Sequence, residues 1–213
     1  MKRGFVILPL LALALALGLT DAPARAQQFS ADMIVSGGHG QASEQPRKLY
    51  VSNGKMRMET GGRSGGVMLS DATAKTAVML MPQMKAYLDI GKMGMVSQAF
   101  MAVDPENPCP QWQEIAKSFD KKNVTWNCKR VGQETVNGRA TLKYQAKSSE
   151  GEQAYAWIDP KLKFLVKSED GKGRGMELRN IQEGAQPASL FEIPAGYRKL
   201  DAQMMMQQHG AKQ

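Results

Sequence analysis

Histidine and cysteine are scarce, with two of each in 213 residues. A zinc cluster of cysteines and histidines, or a catalytic relay built on imidazole, has almost nothing to draw on. Aromatic residues make up only 7% of the chain, and no stretch interleaves them with basic residues. Stacking recognition of nucleic acid is therefore not expected. Long apolar runs are missing except at the amino terminus, where Phe5 to Leu19 is broken by Pro9 and Gly18. That run is shorter than the roughly 20 residues a bilayer span requires.

The amino terminus instead has the three parts of an export signal over residues 1–26. Lys2 and Arg3 form a basic start, the apolar run follows, and Ala24-Arg25-Ala26 supplies a small-x-small cleavage site before Gln27. The alternative is a permanent anchor, which would need a stop-transfer pattern that does not follow. No cysteine stands beside the cleavage site, which closes the acylated-lipoprotein route. The expected location is the periplasm. Removing the signal leaves a chain that is still cationic, since the whole carries +8. The basic groups, Lys121-Lys122 and Lys161, Lys163 and Lys167, are scattered among polar residues. They favour a soluble cationic surface, with at most a weak attraction to an anionic membrane face. In an oxidising compartment Cys109 and Cys128 are expected to pair. Catalytic use would need a C-x-x-C motif or a cysteine with a histidine partner, and neither is present.

The mature chain reads mainly as antiparallel β. Leu49-Tyr50-Val51-Ser52 and Lys55-Met56-Arg57-Met58 flank Asn53-Gly54, the favoured centre of a two-residue hairpin because both positions take positive φ. That turn sets Val51 opposite Met56 and Leu49 opposite Met58 on one face. Tyr50 then meets Arg57, and Lys48 meets Glu59, on the other, so turn chemistry and apolar pattern agree. Strands are also expected over Phe29–Ser36, Gly66–Ser70, Thr76–Met81, Lys85–Ile90 and Val124–Val136. Further strands are expected over Arg139–Lys147, Gln153–Asp159, Phe164–Ser168 and Met176–Ile181. A second Asn-Gly turn stands at Asn137-Gly138. Ala77 to Met81 is apolar on both faces and needs cover on both sides. Residues 92–119 can supply cover: Met93, Met95, Val96, Phe100 and Met101 are loosely helical, and Trp112, Ile115, Ala116 and Phe119 fall at helical spacing. One or two short helices are expected there. From Asp201 onward the chain is Met, Gln and polar residues, expected to be a disordered tail over 201–213.

Three segments together resemble the periplasmic carriers of the LolA/LolB type and their exported relatives of unknown function. They are Leu49 to Glu59, Ala156-Trp157-Ile158-Asp159-Pro160, and Leu190-Phe191-Glu192-Ile193-Pro194-Ala195-Gly196-Tyr197. Their order and spacing span roughly residues 29–200. The resemblance implies an α+β fold that is mainly β: one strongly curved antiparallel sheet, a half-barrel, with one or two short helices on its concave side. It implies a single domain over 27–200, and a cavity that in relatives takes lipid chains or a lipoprotein's acyl groups. Other relatives sense envelope stress. This chain departs from the carriers in its Cys109/Cys128 pair and its methionine content.

Enzymatic readings find little support. His39 sits in a Gly-rich loop and His209 in the tail, without a spaced nucleophile or acid. Gly61-Gly62-Arg63-Ser64-Gly65-Gly66 lacks the Lys-Ser/Thr ending of a phosphate loop and precedes a strand rather than a helix. Asp104 and Glu106 look like loop charges between prolines. No catalytic residue, metal site or cofactor is assigned. Methionine, with 15 residues, is the compositional oddity. Unbranched, polarizable Met suits the filling of an irregular interior first, and a core that doubles as an adaptable apolar pocket second. The expectation is therefore a monomeric, non-enzymatic binding protein for a lipid, another apolar ligand or a lipidated partner. Its expected lining is Met58, Met68, Met79, Met81, Tyr87, Met93, Met95 and Phe100. A structural or stress-sensing envelope protein with a packed interior is one alternative. Soft-metal binding of copper by thioethers, with Met204-Met205-Met206 and His209 as its tail version, is another.

Overall fold

The computed structural model describes residues 27–37, 43–61, 65–91, 102–119 and 124–201. The expected signal over 1–26, the tail beyond Asp201, and Met93, Met95 and Phe100 lie outside the described residues.

Twelve strands form one sheet. They are β1 (Gln28–Ser36), β2 (Ser43–Ser52), β3 (Lys55–Gly61), β4 (Gly66–Asp71), β5 (Thr76–Met81), β6 (Ala86–Asp89), β7 (Trp126–Val136), β8 (Arg139–Ser148), β9 (Gln153–Asp159), β10 (Phe164–Asp170), β11 (Gly175–Glu183) and β12 (Arg198–Leu200). Their order across the sheet is β12-β6-β5-β4-β3-β2-β1-β11-β10-β9-β8-β7. Every pair is antiparallel except β12 with β6, which is parallel. One α-helix, α1 (Cys109–Phe119), occurs among the described residues.

Local chemistry explains the hairpins. Asn53 and Gly54 take φ of 52° and 80°, and Asn137 and Gly138 take 49° and 78°, the left-handed values a two-residue turn requires. The first turn delivers the expected register, Leu49↔Met58, Tyr50↔Arg57 and Val51↔Met56. Between β5 and β6 the connection is a 3-10 turn, Pro82–Met84, closed by Lys85 in the left-handed region. The closing Leu190-Phe191 segment is also a 3-10 turn, Ala188–Phe191.

Register carries one apolar face across half the sheet. Ala31↔Leu49↔Met58↔Met68↔Met79↔Leu88 are successive cross-strand partners. Phe29, Met33, Val51, Met56 and Ala77 join the same buried cluster. On the opposite face, Val67, Leu69 and Leu80 form a smaller cluster with Val78, Tyr87 and Tyr197. The two-sided apolar run of β5 thus finds its second cover in the C-terminal segment. Arg57 Nη1 donates to Leu190 O at 3.3 Å, and Arg198 N donates to Lys85 O at 3.0 Å, so this segment travels from β3 to the edge at β6. Val35↔Met176↔Ser168↔Ala156↔Tyr144 carry the pairing on toward the other end of the sheet, while Phe29 packs edge-on against Phe164 and the main buried cluster also takes in Trp157, Val166 and Leu178.

Candidate functional site

The helix lies at that other end. Pro110 stands in its first turn, where a missing N–H costs nothing, and Trp112 N donates to Pro108 O at 3.1 Å. Cys109, the first helical residue, is disulfide-bonded to Cys128 on β7. One turn later Trp112 sets its ring edge-on to Tyr144 on β8, with centroids 5.8 Å apart and planes at 86°. Gln113 Nε2 donates to Trp126 O at 3.3 Å. Val103, Leu142, Tyr144 and Ile158 form the buried base beneath these groups.

Beside this contact the sheet carries small side chains. Cys128↔Ala146↔Ala154 and Tyr144↔Ala156↔Ser168 are cross-strand rows on the helix side. Alanine and serine stop short of the helix, and an apolar groove of about 240 Å³ remains between Trp112, Trp126 and this floor. None of the groups that line it carries a charge. Tyr144 donates its O–H to Pro105 O at 2.8 Å, and burial pushes its phenol pKa up, so it stays a neutral donor.

The far side of the same strands has the opposite character. Period-two alternation turns Asn127, Lys129, Gln145 and Lys147 away from the groove into a polar hollow. On that side too lies Trp157, 4% exposed and part of the main buried cluster, with the ammonium groups of Lys143 and Lys167 at 4.8 Å and 4.5 Å from its ring. Its indole N–H donates to Glu134 Oε2 at 2.7 Å, while Lys143 binds Oε1 at 2.6 Å. The Lys143 hydrogen bond, then that from Trp157, holds the Glu134 carboxyl below its usual range.

The sequence-expected lining is only partly brought together. Met58, Met68 and Met79 share one face, but Met68 is 2% exposed and packed into the main core. Met81 continues that row, half-buried. Tyr87 lies on the opposite face, packed against the Val67 cluster. Its neighbour in β6, Ala86, takes the inner side, and alternation sends Tyr87 outward. The groove is built from other residues: Trp112, Trp126, Tyr144 and the Ala/Ser floor. The floor gives only a faint sequence signal, the Ala154-x-Ala156 alternation, which a solvent-facing strand would show equally. Among the described residues no group of three or more His, Cys, Asp or Glu could hold a metal ion, and no helix is long and apolar enough to cross a membrane.

No protein-family model matches the chain, and no curated protein matches it in sequence. Similarity appears among solved structures. PNGF-II matches with a TM-score of 0.50 at 10% identity, over 85% of this chain and 33% of that one. The chain thus spans about a third of that protein. The MucA/MucB complex of Pseudomonas aeruginosa matches with a TM-score of 0.46 at 16% identity, over 81% and 57% of the two chains. A putative outer membrane lipoprotein-sorting protein domain from Vibrio parahaemolyticus matches with a TM-score of 0.32 at 12% identity, over 79% and 92%. At such identities the likeness is one of fold.

Proposed function

We propose that the protein is an exported, periplasmic, non-enzymatic binding protein that holds a slender apolar chain under α1. The chain would come from a lipid or from the lipid-modified end of a partner protein. The observation that carries this reading is the groove: uncharged, walled by Trp112 and Trp126, floored by Ala146, Ala154, Ala156 and Ser168, and roofed by a tethered helix. Pockets for drug-sized ligands run to about 300–1,000 Å³. A slot of about 240 Å³ suits a single chain better than a bulky ring system. A chain burying about 300 Å² of apolar surface gains roughly 7 kcal/mol before ordering costs. That magnitude supports exchangeable cargo rather than a permanent guest.

In this reading residues 1–26 are a cleaved export signal, 27–200 form one half-barrel domain, and 201–213 are a tail. The sheet would be the strongly curved half-barrel of the carriers, with α1 as the cover over the groove. The carrier-like hairpin and closing motifs point the same way. A structural or stress-sensing protein with a filled interior is the second reading. It is favoured by Met68 and Ala77, 2% and 1% exposed within the main core.

The test is mass spectrometry of the native mature protein for co-purified lipid, with titration of an environment-sensitive apolar dye. Saturable dye binding displaced by a long-chain fatty acid is expected. Protein that carries no lipid and excludes the dye would sink the proposal.

A further inference from the structure

We infer that the Cys109–Cys128 disulfide is a redox latch on the groove: its reduction lets α1 lift from the sheet and release an apolar ligand. This inference rests on the groove reading above and concerns the regulation of that same site.

The bridge sits where a latch would. Cys128 is part of the groove wall and Cys109 is the first residue of the roof. It does not staple the main core, whose buried residues come from other strands. Instead it fastens one helix to β7, the strand at the sheet's end. The segment just before the helix is held by separate means. Val103 N donates to Lys163 O at 3.0 Å, Tyr144 Oη donates to Pro105 O at 2.8 Å, and Arg130 pairs with Glu106 at 3.0 Å. Opening the bridge therefore leaves residues 102–108 docked and places the hinge at Pro108–Cys109.

Beyond the hinge the ties described between the helix and the sheet are noncovalent. Trp112 rests on Tyr144, and Gln113 makes one hydrogen bond to the Trp126 carbonyl. Glu114 and Lys117 pair with each other on the exposed side of the helix. A groove filled with an apolar chain would be shut by these contacts only while the covalent tie keeps them in register. Both cysteines are half-buried, so an attacking thiolate has access.

The chemistry is thiol–disulfide exchange with a dithiol reductant. One of its thiolates attacks a bridge sulfur, the S–S bond breaks, and a mixed disulfide forms. The reductant's second thiol resolves that intermediate. Two electrons pass to the bridge, two protons end on the Cys109 and Cys128 thiols, and the reductant leaves as its own disulfide.

The experiment compares the oxidised mature protein, the same protein reduced anaerobically with a small dithiol, and a Cys109→Ser/Cys128→Ser double variant. Each is titrated with a fluorescent long-chain fatty acid, with acrylamide quenching of tryptophan and far-ultraviolet circular dichroism recorded alongside. Reduction is expected to raise Kd at least tenfold and to increase quenching as Trp112 and Trp126 become accessible. The β spectrum should not change, and the double variant should match the reduced form. Equal Kd and equal quenching in oxidised and reduced protein would overturn the latch. Loss of the β spectrum on reduction would also overturn it, because the bridge would then be a staple of the whole fold. Should neither form bind the fatty acid, the binding reading fails, and the quenching difference alone decides whether the roof moves.

Discussion

Replacing Ala156 with leucine separates a real groove from a packed interior. Ala156 stands in register between Tyr144 and Ser168 on the floor beneath α1. Leucine adds three carbons. Where there is space for them, each buried methylene contributes up to about 0.8 kcal/mol. The groove is partly open, so the net change expected is a gain of roughly 0.5–1 kcal/mol. In a filled interior the same carbons would force neighbours off their rotamers and cost about 1–3 kcal/mol. Ala77→Leu supplies the contrast, since Ala77 belongs to the main core and is 1% exposed. It should lose about 1–3 kcal/mol. The assay is urea unfolding followed by tryptophan fluorescence, read as a shift in midpoint at constant slope. The Ala156 variant should also lose most of its affinity for an apolar dye while remaining at least as stable as the parent. If both variants are destabilised alike, the groove is an ordinary part of the core and the functional reading loses its foundation.

Trp112→Ala removes the ring resting on Tyr144 and should cost roughly 2 kcal/mol of stability, below the full price of a buried aromatic because Trp112 is half-exposed; dye affinity should fall with it, and unchanged affinity would remove Trp112 from the wall. At Gly175 an added Cβ would lie 1.9 Å from the Ser168 carbonyl oxygen, a backbone clash. Gly175→Ala should therefore destabilise by about 3 kcal/mol or more and disturb the Ser168 end of the floor, and a neutral result by thermal unfolding would contradict the packing of β10 on β11. Acid should weaken the fold. Glu134 is held below its usual pKa by Lys143 and then Trp157, Glu183 by Lys161 and then Arg139, and Asp32 by Asn180 and then Lys48. Depressed carboxylates contribute stability that is full above their unfolded values, about 4, and is lost as pH falls through the folded ones. Urea midpoints should be level between about pH 7 and 5.5 and fall below about pH 4, whereas a rise on acidification would refute the assignment.

Several features of the fold were legible because they are settled within a few residues. Asn53-Gly54 and Asn137-Gly138 dictate two-residue turns through their positive φ, and each turn fixes the pairing of the strands beside it. Gln153–Asp159 and its partner are bounded by the turn at Pro160-Lys161 in the same local way. The pairing of Cys109 with Cys128 followed from there being two cysteines and an expected oxidising compartment. The helix over the Trp112 stretch followed from its spacing. The methionine row was legible as an interior face, and Met33, Met56 and Met68 are buried core.

What decided the site was long-range. β1 lies beside β11, almost the whole length of the domain away in sequence, and no local pattern specifies that partner. That pairing sets Val35 opposite Met176 and joins the two ends of the sheet. Whether Ala146, Ala154 and Ala156 face water or a helix depends on where α1 settles, and α1 is placed by Trp112 on Tyr144 and by the bridge to Cys128. Short side chains look alike in sequence whether they line a hollow or a surface. Only the position of the roof distinguishes the two, because empty space is a property of what stands opposite and not of the residues that border it.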